Sequence, residues 1–179
     1  MTCIVAIKDK NKIYMGADSM ACTSFTRGEL KASKIIRKDN MIIGLCGSPR
    51  ALQLLNYYWE VPKQNNQADD VYIYKTVTDS IMECFQTNLY AHLNNNQLKC
   101  GSDFIIGFNS NLYQFENNFQ VLEPVNPYIS TGSGSYHAMG SLYTTSLTKM
   151  KPNDRLQIAL QAATEYVHSV GGKYQFEEL

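Results

Sequence analysis

Charge of either sign is not in excess in this sequence: Lys plus Arg total 16, Asp plus Glu total 16, and the formal net charge is zero. A chain without a net field has little to gather a phosphate backbone or an anionic lipid surface, so neither nucleic acid nor membrane is an expected partner. Long apolar runs are missing too. No stretch approaches the roughly 20 apolar residues that a spanning helix needs. The opening run Cys3-Ile4-Val5-Ala6-Ile7 is too short for a signal peptide and no basic segment precedes it. Cysteine shows no paired spacing: Cys3, Cys22, Cys46, Cys84 and Cys100 are odd in number, and several sit in apolar runs. That pattern fits reduced core thiols, and a cytoplasmic location is the expectation. His92, His137 and His168 form neither an H-E-x-x-H motif nor a metal-spaced set with cysteine, so no metal or other cofactor is expected. A length of 179 residues suggests one domain spanning 1–179, large enough to bury a core.

What is present begins with two hairpins. Residues 2–8 and 12–18 read as strands around an Asp9-Lys10-Asn11 turn, whose Asp and Asn tolerate left-handed backbone. A three-residue loop sets Lys8 opposite Lys12, Ile4 opposite Gly16 and Thr2 opposite Asp18. Opposed side chains share a sheet face, and a slip of one residue would send Asp18 to the other face. After a polar, irregular stretch at 19–29, Lys34 to Arg37 and Met41 to Cys46 read as a second hairpin. Ser48-Pro49 suits a helix start, and that helix is expected to reach Glu60. A longer helix is expected from Asp69 or Asp70 to about His92. A three-stranded meander follows from Phe104 to Leu122, then Ile129 to Thr131, a helix to Leu147, a helix from Asp154 to His168, and a last strand from Lys173. Strand runs alternating with helix pairs predict an α/β chain of the α+β type. Its architecture is a four-layer αββα sandwich of two mainly antiparallel sheets covered by helices, not a doubly wound sheet.

Thr2 stands out within this frame. A small residue after Met1 permits removal of the methionine, which leaves one residue carrying both a hydroxyl and a free α-amine. A nucleophile and its base can then be the same amino acid. Gly47 lies at a strand-to-helix junction, where a backbone N–H near the positive end of a helix can stabilise an oxyanion or merely form a tight turn. Gly132-Ser133-Gly134-Ser135 before a helix could cradle phosphate, but it lacks the Lys-Ser/Thr of a P-loop and the spacing of G-x-G-x-x-G.

Several motifs occur in order: Thr2, Gly16-Ala17-Asp18, Lys34-Ile35, Leu45-Cys46-Gly47 and Thr131-Gly132-Ser133-Gly134-Ser135. Together they resemble the proteasome β-subunit family of N-terminal-nucleophile (Ntn) hydrolases, most of all its HslV peptidase branch. The resemblance implies a threonine peptidase. Thr2 would be the nucleophile and its α-amine the base, directly or through water. Lys34 would lower nearby pKa values, Asp18 would hold Lys34, and Gly47 would serve the oxyanion. Ser133 would bond near the terminal amine, while Leu45 and Cys22 would shape the substrate site. The family's Asp and Ser before a Gly-Gly are replaced here by Val167-His168-Ser169-Val170 before Gly171-Gly172, which leaves Ser169 as a candidate support for the amine. By the same resemblance the substrate is peptide or unfolded polypeptide, the assembly a homo-oligomeric ring with its sites facing inward, and a ring ATPase the expected feeder. Two other readings compete. One is an inactive proteasome-like assembly protein, its activity lost either because Met1 is kept and the base becomes an amide or because the support of the amine is weakened. The other is an Ntn amidohydrolase acting on a small amide.

Overall fold

The computed structural model describes residues 2–23 and 25–179. The expected removal of Met1 therefore concerns a residue outside those described. In chain order the elements begin with β1 (Cys3–Asp9), β2 (Lys12–Asp18), β3 (Met20–Cys22), β4 (Arg27–Glu29), β5 (Ile35–Lys38) and β6 (Met41–Cys46). Helix α1 (Pro49–Tyr57) and a continuous helix α2 (69–87) follow. Then come β7 (His92–Asn94), β8 (Gln97–Lys99), β9 (Asp103–Phe108), β10 (Asn111–Phe115), β11 (Val121–Leu122) and β12 (Tyr128–Gly132). Helices α3 (Ser135–Ser146) and α4 (Pro152–Tyr166) precede the last strand, β13 (Tyr174–Glu178).

Two antiparallel sheets carry the molecule, one ordered β12-β1-β2-β13 and the other β11-β10-β9-β6-β5. Three apolar layers hold four structural ones together. Ile4, Ala6, Ile13, Met15 and Ala17 of the first sheet meet Ile35, Ile42, Ile105 and Leu112 of the second. The opposite face of the first sheet (Cys3, Val5, Ile7) packs on Ala138 and Leu142 of α3 and Leu156, Ala159, Leu160 and Ala163 of α4. The outer face of the second (Met41, Ile43, Leu45, Phe104, Ile106) packs on Ala51, Leu54 and Leu55 of α1 and Ile73, Val77, Ile81 and Phe85 of α2. Strands apolar on both faces are what burial on both sides demands. The architecture is the αββα sandwich that the element order predicts.

The differences lie in the details. The first hairpin has a two-residue loop, with Asp9 opposite Lys12 and Lys10 at φ 55°, so Ile4 faces Ala17 and Val5 faces Gly16. The register is thus one residue away from that expected, and Thr2 is not directly opposite Asp18. The stretch at 19–29 is a small hairpin, β3 with β4, rather than irregular chain. Helix α1 stops at Tyr57. Helix α2 is capped by Ala68, not by an Asp side chain. It contains a six-residue π segment, Tyr72–Val77, and ends at Thr87, with His92 already in a strand.

Candidate active site

Asp18 ends β2 fully buried, and its carboxylate is the hub of the local structure. Oδ1 accepts the Cys3 N–H at 2.9 Å and Lys34 Nζ at 2.8 Å; Oδ2 accepts the Met20 N–H at 3.2 Å and the Gly171 N–H at 3.1 Å. Four donors explain how a carboxylate survives burial. They also explain why the shifted register does not carry it away from β1. At a strand end the side chain turns into the line of the sheet and takes the N–H of the residue after Thr2. Face parity governs side chains within a strand and is relaxed at its terminus.

Lys34 stands just before β5 in the other sheet, so its ion pair with Asp18 ties the two sheets together at this end. Its side chain is nearly buried, and Nζ also donates to the Met20 carbonyl at 2.7 Å. Ser133, between β12 and α3, is placed by the pairing of Cys3 with Gly132. Its Oγ lies 3.3 Å from the Thr2 nitrogen and also 3.3 Å from the Thr2 carbonyl oxygen. Gly132, at φ 99°, lets this approach happen: a Cβ there would overlap the Thr2 carbonyl.

Gly47 follows β6 and precedes the N-cap Ser48, whose Oγ accepts the Arg50 N–H at the start of α1. At φ 127° it occupies backbone space that a side chain rarely adopts. A Cβ on it would run into Ser102 and lie 3.0 Å from the Gly101 carbonyl. Ser102 Oγ accepts the Ser48 N–H at 3.2 Å and pairs with the Tyr90 hydroxyl at 2.8 Å, which fixes the turn from outside.

Part of this constellation opens on one cavity of ≈ 230 Å³, while Asp18 and Ser133 stand behind its lining. Thr2, Lys34, Gly47, Leu45 and Cys22 all line it, with Cys22 at the end of β3 and Leu45 inside β6. Ser169 is not in its lining. It is fully buried, and among the described residues its hydroxyl has no hydrogen-bond partner. Its loop does serve the hub, because the Gly171 N–H two residues on reaches Asp18.

Sequence reasoning missed several contributors. Met20, Leu30, Leu52 and Gln53 also line the cavity. Gly171 reads in the sequence only as a helix stop, and the Asp18 bond gives it a second task. The positive φ of Gly132 could have been suspected from a Gly-Ser-Gly-Ser run, but not its contact with Thr2. Two thiols near the site, those of Cys3 and Cys46, are held protonated by burial. Desolvation pushes Cys3 up to about 12 and also raises Cys46, which sits beside Asp103. Among the described residues, no group of three His, Cys, Asp or Glu side chains is placed to hold a metal ion, and no helix is long and apolar enough to cross a membrane.

A sandwich of this layering, with a threonine at the start of β1 sharing one cleft with a strained glycine and with a lysine paired to a buried aspartate, has the architecture of the Ntn hydrolases. The chain belongs to the proteasome subunit family, whose description, Proteasome subunit, it matches over residues 1–176. Among solved structures it is similar to the BPH protein of Thiobacillus denitrificans in complex with epoxomicin, at 19% identity and TM-score 0.84, covering 99% of this chain and 98% of that one. It is also similar to the eukaryotic HslV of Trypanosoma brucei, at 16% identity and TM-score 0.72, covering 99% of each chain. A third likeness is to the Anbu Gly-1 mutant of Hyphomicrobium sp. strain MC1, at 14% identity and TM-score 0.70, covering 98% of this chain and 80% of that one. At such identities these likenesses establish the fold. No curated protein matches the chain.

Proposed function

We propose that this chain is a threonine peptidase that hydrolyses peptide bonds through an acyl-enzyme on Thr2, once Met1 has been removed. One observation carries the reading: the Thr2 nitrogen lies 3.3 Å from Ser133 Oγ, and Thr2 shares a cavity with Gly47 and with Lys34, which Asp18 holds from behind. The whole span 1–179 acts as one unit. An α-amine titrates near 7.7–8.0 in a model peptide, close to working pH, and the adjacent Lys34 ammonium favours its neutral form.

The Thr2 hydroxyl attacks the substrate carbonyl, and its proton passes to the α-amine, directly or through water. The Gly47 N–H receives the oxyanion that forms. Collapse breaks the C–N bond, the proton goes to the departing amine, and an ester remains on Thr2. Water then attacks that ester by the same relay and restores the hydroxyl. Ser133 orients the amine. Asp18 fixes Lys34 without touching substrate. An extended peptide lies as an added strand along Met20–Cys22, with its side chain in the pocket of Leu45, Leu52 and Leu30, a lining that favours an apolar residue. Copies of the chain assemble as a ring in the cytoplasm, and a ring ATPase supplies unfolded polypeptide.

The test uses protein whose mass shows that Met1 is gone. A peptide epoxyketone makes a cyclic adduct only with a residue that presents both a hydroxyl and a free amine. The expected result is one adduct on Thr2, with loss of fluorogenic-peptide hydrolysis in the adduct and in Thr2→Ala. Processed protein that forms no adduct, together with a Thr2→Ala variant of undiminished activity, would refute the reading.

A further inference from the structure

Beside the cleft, and sharing Leu30 with it, a second hollow of ≈ 390 Å³ opens between the β2–β3 link, the end of β4 and the start of β13. Its lining is Ser19, Glu29, Leu30, Lys31, Lys173 and Gln175. The volume falls in the range of small-ligand sites, about 300–1,000 Å³. No step of the proposed peptidase chemistry uses it.

Two of its groups are held in place yet lack a partner. Ser19 is 2% exposed, and among the described residues its hydroxyl makes no hydrogen bond. A buried hydroxyl in that state is a standing cost that an occupant would relieve. Its backbone is fixed from both sides: its N–H donates to the Gly171 carbonyl at 3.1 Å, and its carbonyl accepts the Leu30 N–H at 2.8 Å. Gly172, at φ 74°, keeps the neighbouring space clear, because a Cβ there would lie 2.4 Å from Ser19 Oγ and 3.1 Å from Glu29 Cγ. Gln175 Oε1 accepts the Lys34 N–H at 3.2 Å. That bond orients the amide, and its Nε2 donor has no partner among the described residues. Donors fixed in advance lose little freedom when a ligand arrives.

Charge and the balance of donors select the ligand. Lys31, Lys173 and Glu29 are exposed, and none of them forms an ion pair among the described residues. The hollow therefore offers two ammonium groups, an amide N–H and a hydroxyl to an acceptor, which describes a site for an anion. A singly charged carboxylate suits it better than phosphate, because Glu29 repels every added negative charge. Glu29 in turn is answered by an ammonium close to that carboxylate. An α-amino acid carries both groups on one carbon. The carboxylate at the end of a polypeptide has no ammonium beside it and leaves Glu29 unanswered. Leu30, the apolar member of the lining, suits an aliphatic side chain.

We propose that this hollow binds a free aliphatic α-amino acid. Its carboxylate lies on Lys31, Lys173, the Gln175 amide and the Ser19 hydroxyl, its ammonium on Glu29, and its side chain against Leu30. The binding does not rest on the peptidase reading, and Thr2→Ala protein takes the ligand equally well.

Titration calorimetry with L-leucine at low salt tests this directly. One leucine per chain is expected, with N-acetyl-leucine, which lacks the ammonium, leucinamide, which lacks the carboxylate, and inorganic phosphate each weaker by roughly tenfold or more. That comparison needs no variant, so it stands whatever a substitution does to folding. Among variants at exposed positions, Lys173→Glu is expected to weaken leucine by roughly tenfold, and Glu29→Gln to erase the preference for leucine over N-acetyl-leucine. Ser19→Ala should cost about fivefold, one hydrogen bond. Folded wild-type protein that binds no leucine, equal or tighter binding of N-acetyl-leucine or phosphate, or a Glu29→Gln variant that keeps the full preference would each overturn the assignment.

Discussion

Removing the Lys34 ammonium isolates the buried Asp18 carboxylate, and the structure sets the size of the consequence. Breaking a buried ion pair by deleting one partner costs about 3–5 kcal/mol, because the remaining charge loses its counter-ion where water cannot replace it. Asp18 keeps three N–H donors, from Cys3, Met20 and Gly171, when Lys34 is gone. The low end therefore applies: Lys34→Met is expected to destabilise by about 3 kcal/mol, a fall in Tm of roughly 6–12 °C for a chain of this size. Asp18→Asn also costs, since the amide NH₂ cannot accept from the N–H groups on its side and the Lys34 ammonium loses its counter-charge. The double variant loses the charge mismatch, so it should be less damaged than the sum of the singles, with a coupling of about 0.5–3 kcal/mol. Chemical denaturation of the four proteins gives that coupling. Peptide hydrolysis supplies the second readout, with an expected loss of roughly 10²–10³-fold in kcat for Lys34→Met, the scale of removing one preorganised electrostatic group. Strictly additive stabilities would refute the pairing as an energetic unit, and near wild-type kcat in Lys34→Met would refute its part in the chemistry.

Other expectations follow from the same contacts. Gly132→Ala should abolish hydrolysis even where the protein still folds, because the new methyl displaces the Thr2 carbonyl; kcat alongside a thermal melt separates the two effects. Gly47→Ala combines an unfavourable φ with a clash at Ser102, and a loss of at least 10²-fold in kcat is expected, with loss of the epoxyketone adduct as the check. Ser169→Ala removes a buried hydroxyl with no partner among the described residues, so a rise of about 1 kcal/mol in stability is expected; a fall in Tm would show that the hydroxyl is bonded in the working protein. Burial raises Cys3 to about 12 and Cys100 to about 11, so at pH 8 roughly one Cys3 thiol in ten thousand is ionised and native alkylation should spare both, leaving Cys22 on the cavity rim as the readier site; peptide mapping after a short maleimide pulse decides it.

The layered fold was legible because it is written in the apolar pattern. Continuous apolar runs in the strands, such as residues 3–7 and 41–46, and the apolar stripes of the helices define which faces need cover, and two sheets with two helix pairs have few ways to provide it. Loop length was not legible in the same way. Asp9, Lys10 and Asn11 are all turn-compatible, and the residue that takes positive φ is Lys10, the one whose type signals it least. A single residue of loop then changes the register of the whole hairpin. The small hairpin at 20–29 escaped notice because three-residue strands carry too few positions to show a period. The π segment in α2 leaves helical composition unchanged and shows only in the hydrogen-bond register.

The site survives the register error for a reason that says what kind of information a sequence holds. Parity decides where a side chain points in mid-strand, yet Asp18 is the last residue of β2, and its placement is fixed by the donors it can collect, not by the pleat. Those donors come from Cys3, Met20, Lys34 and Gly171, positions scattered over the chain and brought together only by packing of the two sheets. An aspartate and a lysine near apolar strands read singly as solvated surface charges, and it is the family resemblance that implies their pairing. The main-chain donors and the rest of the cavity lining have no such signal written in their identity. Gly171 could donate to any acceptor and Leu52 could pack anywhere on a helix face. The roles of the charged residues and of Leu45 are therefore readable through the ordered motifs that carry the resemblance, while the main-chain donors and the rest of the cavity lining come only from the folded arrangement.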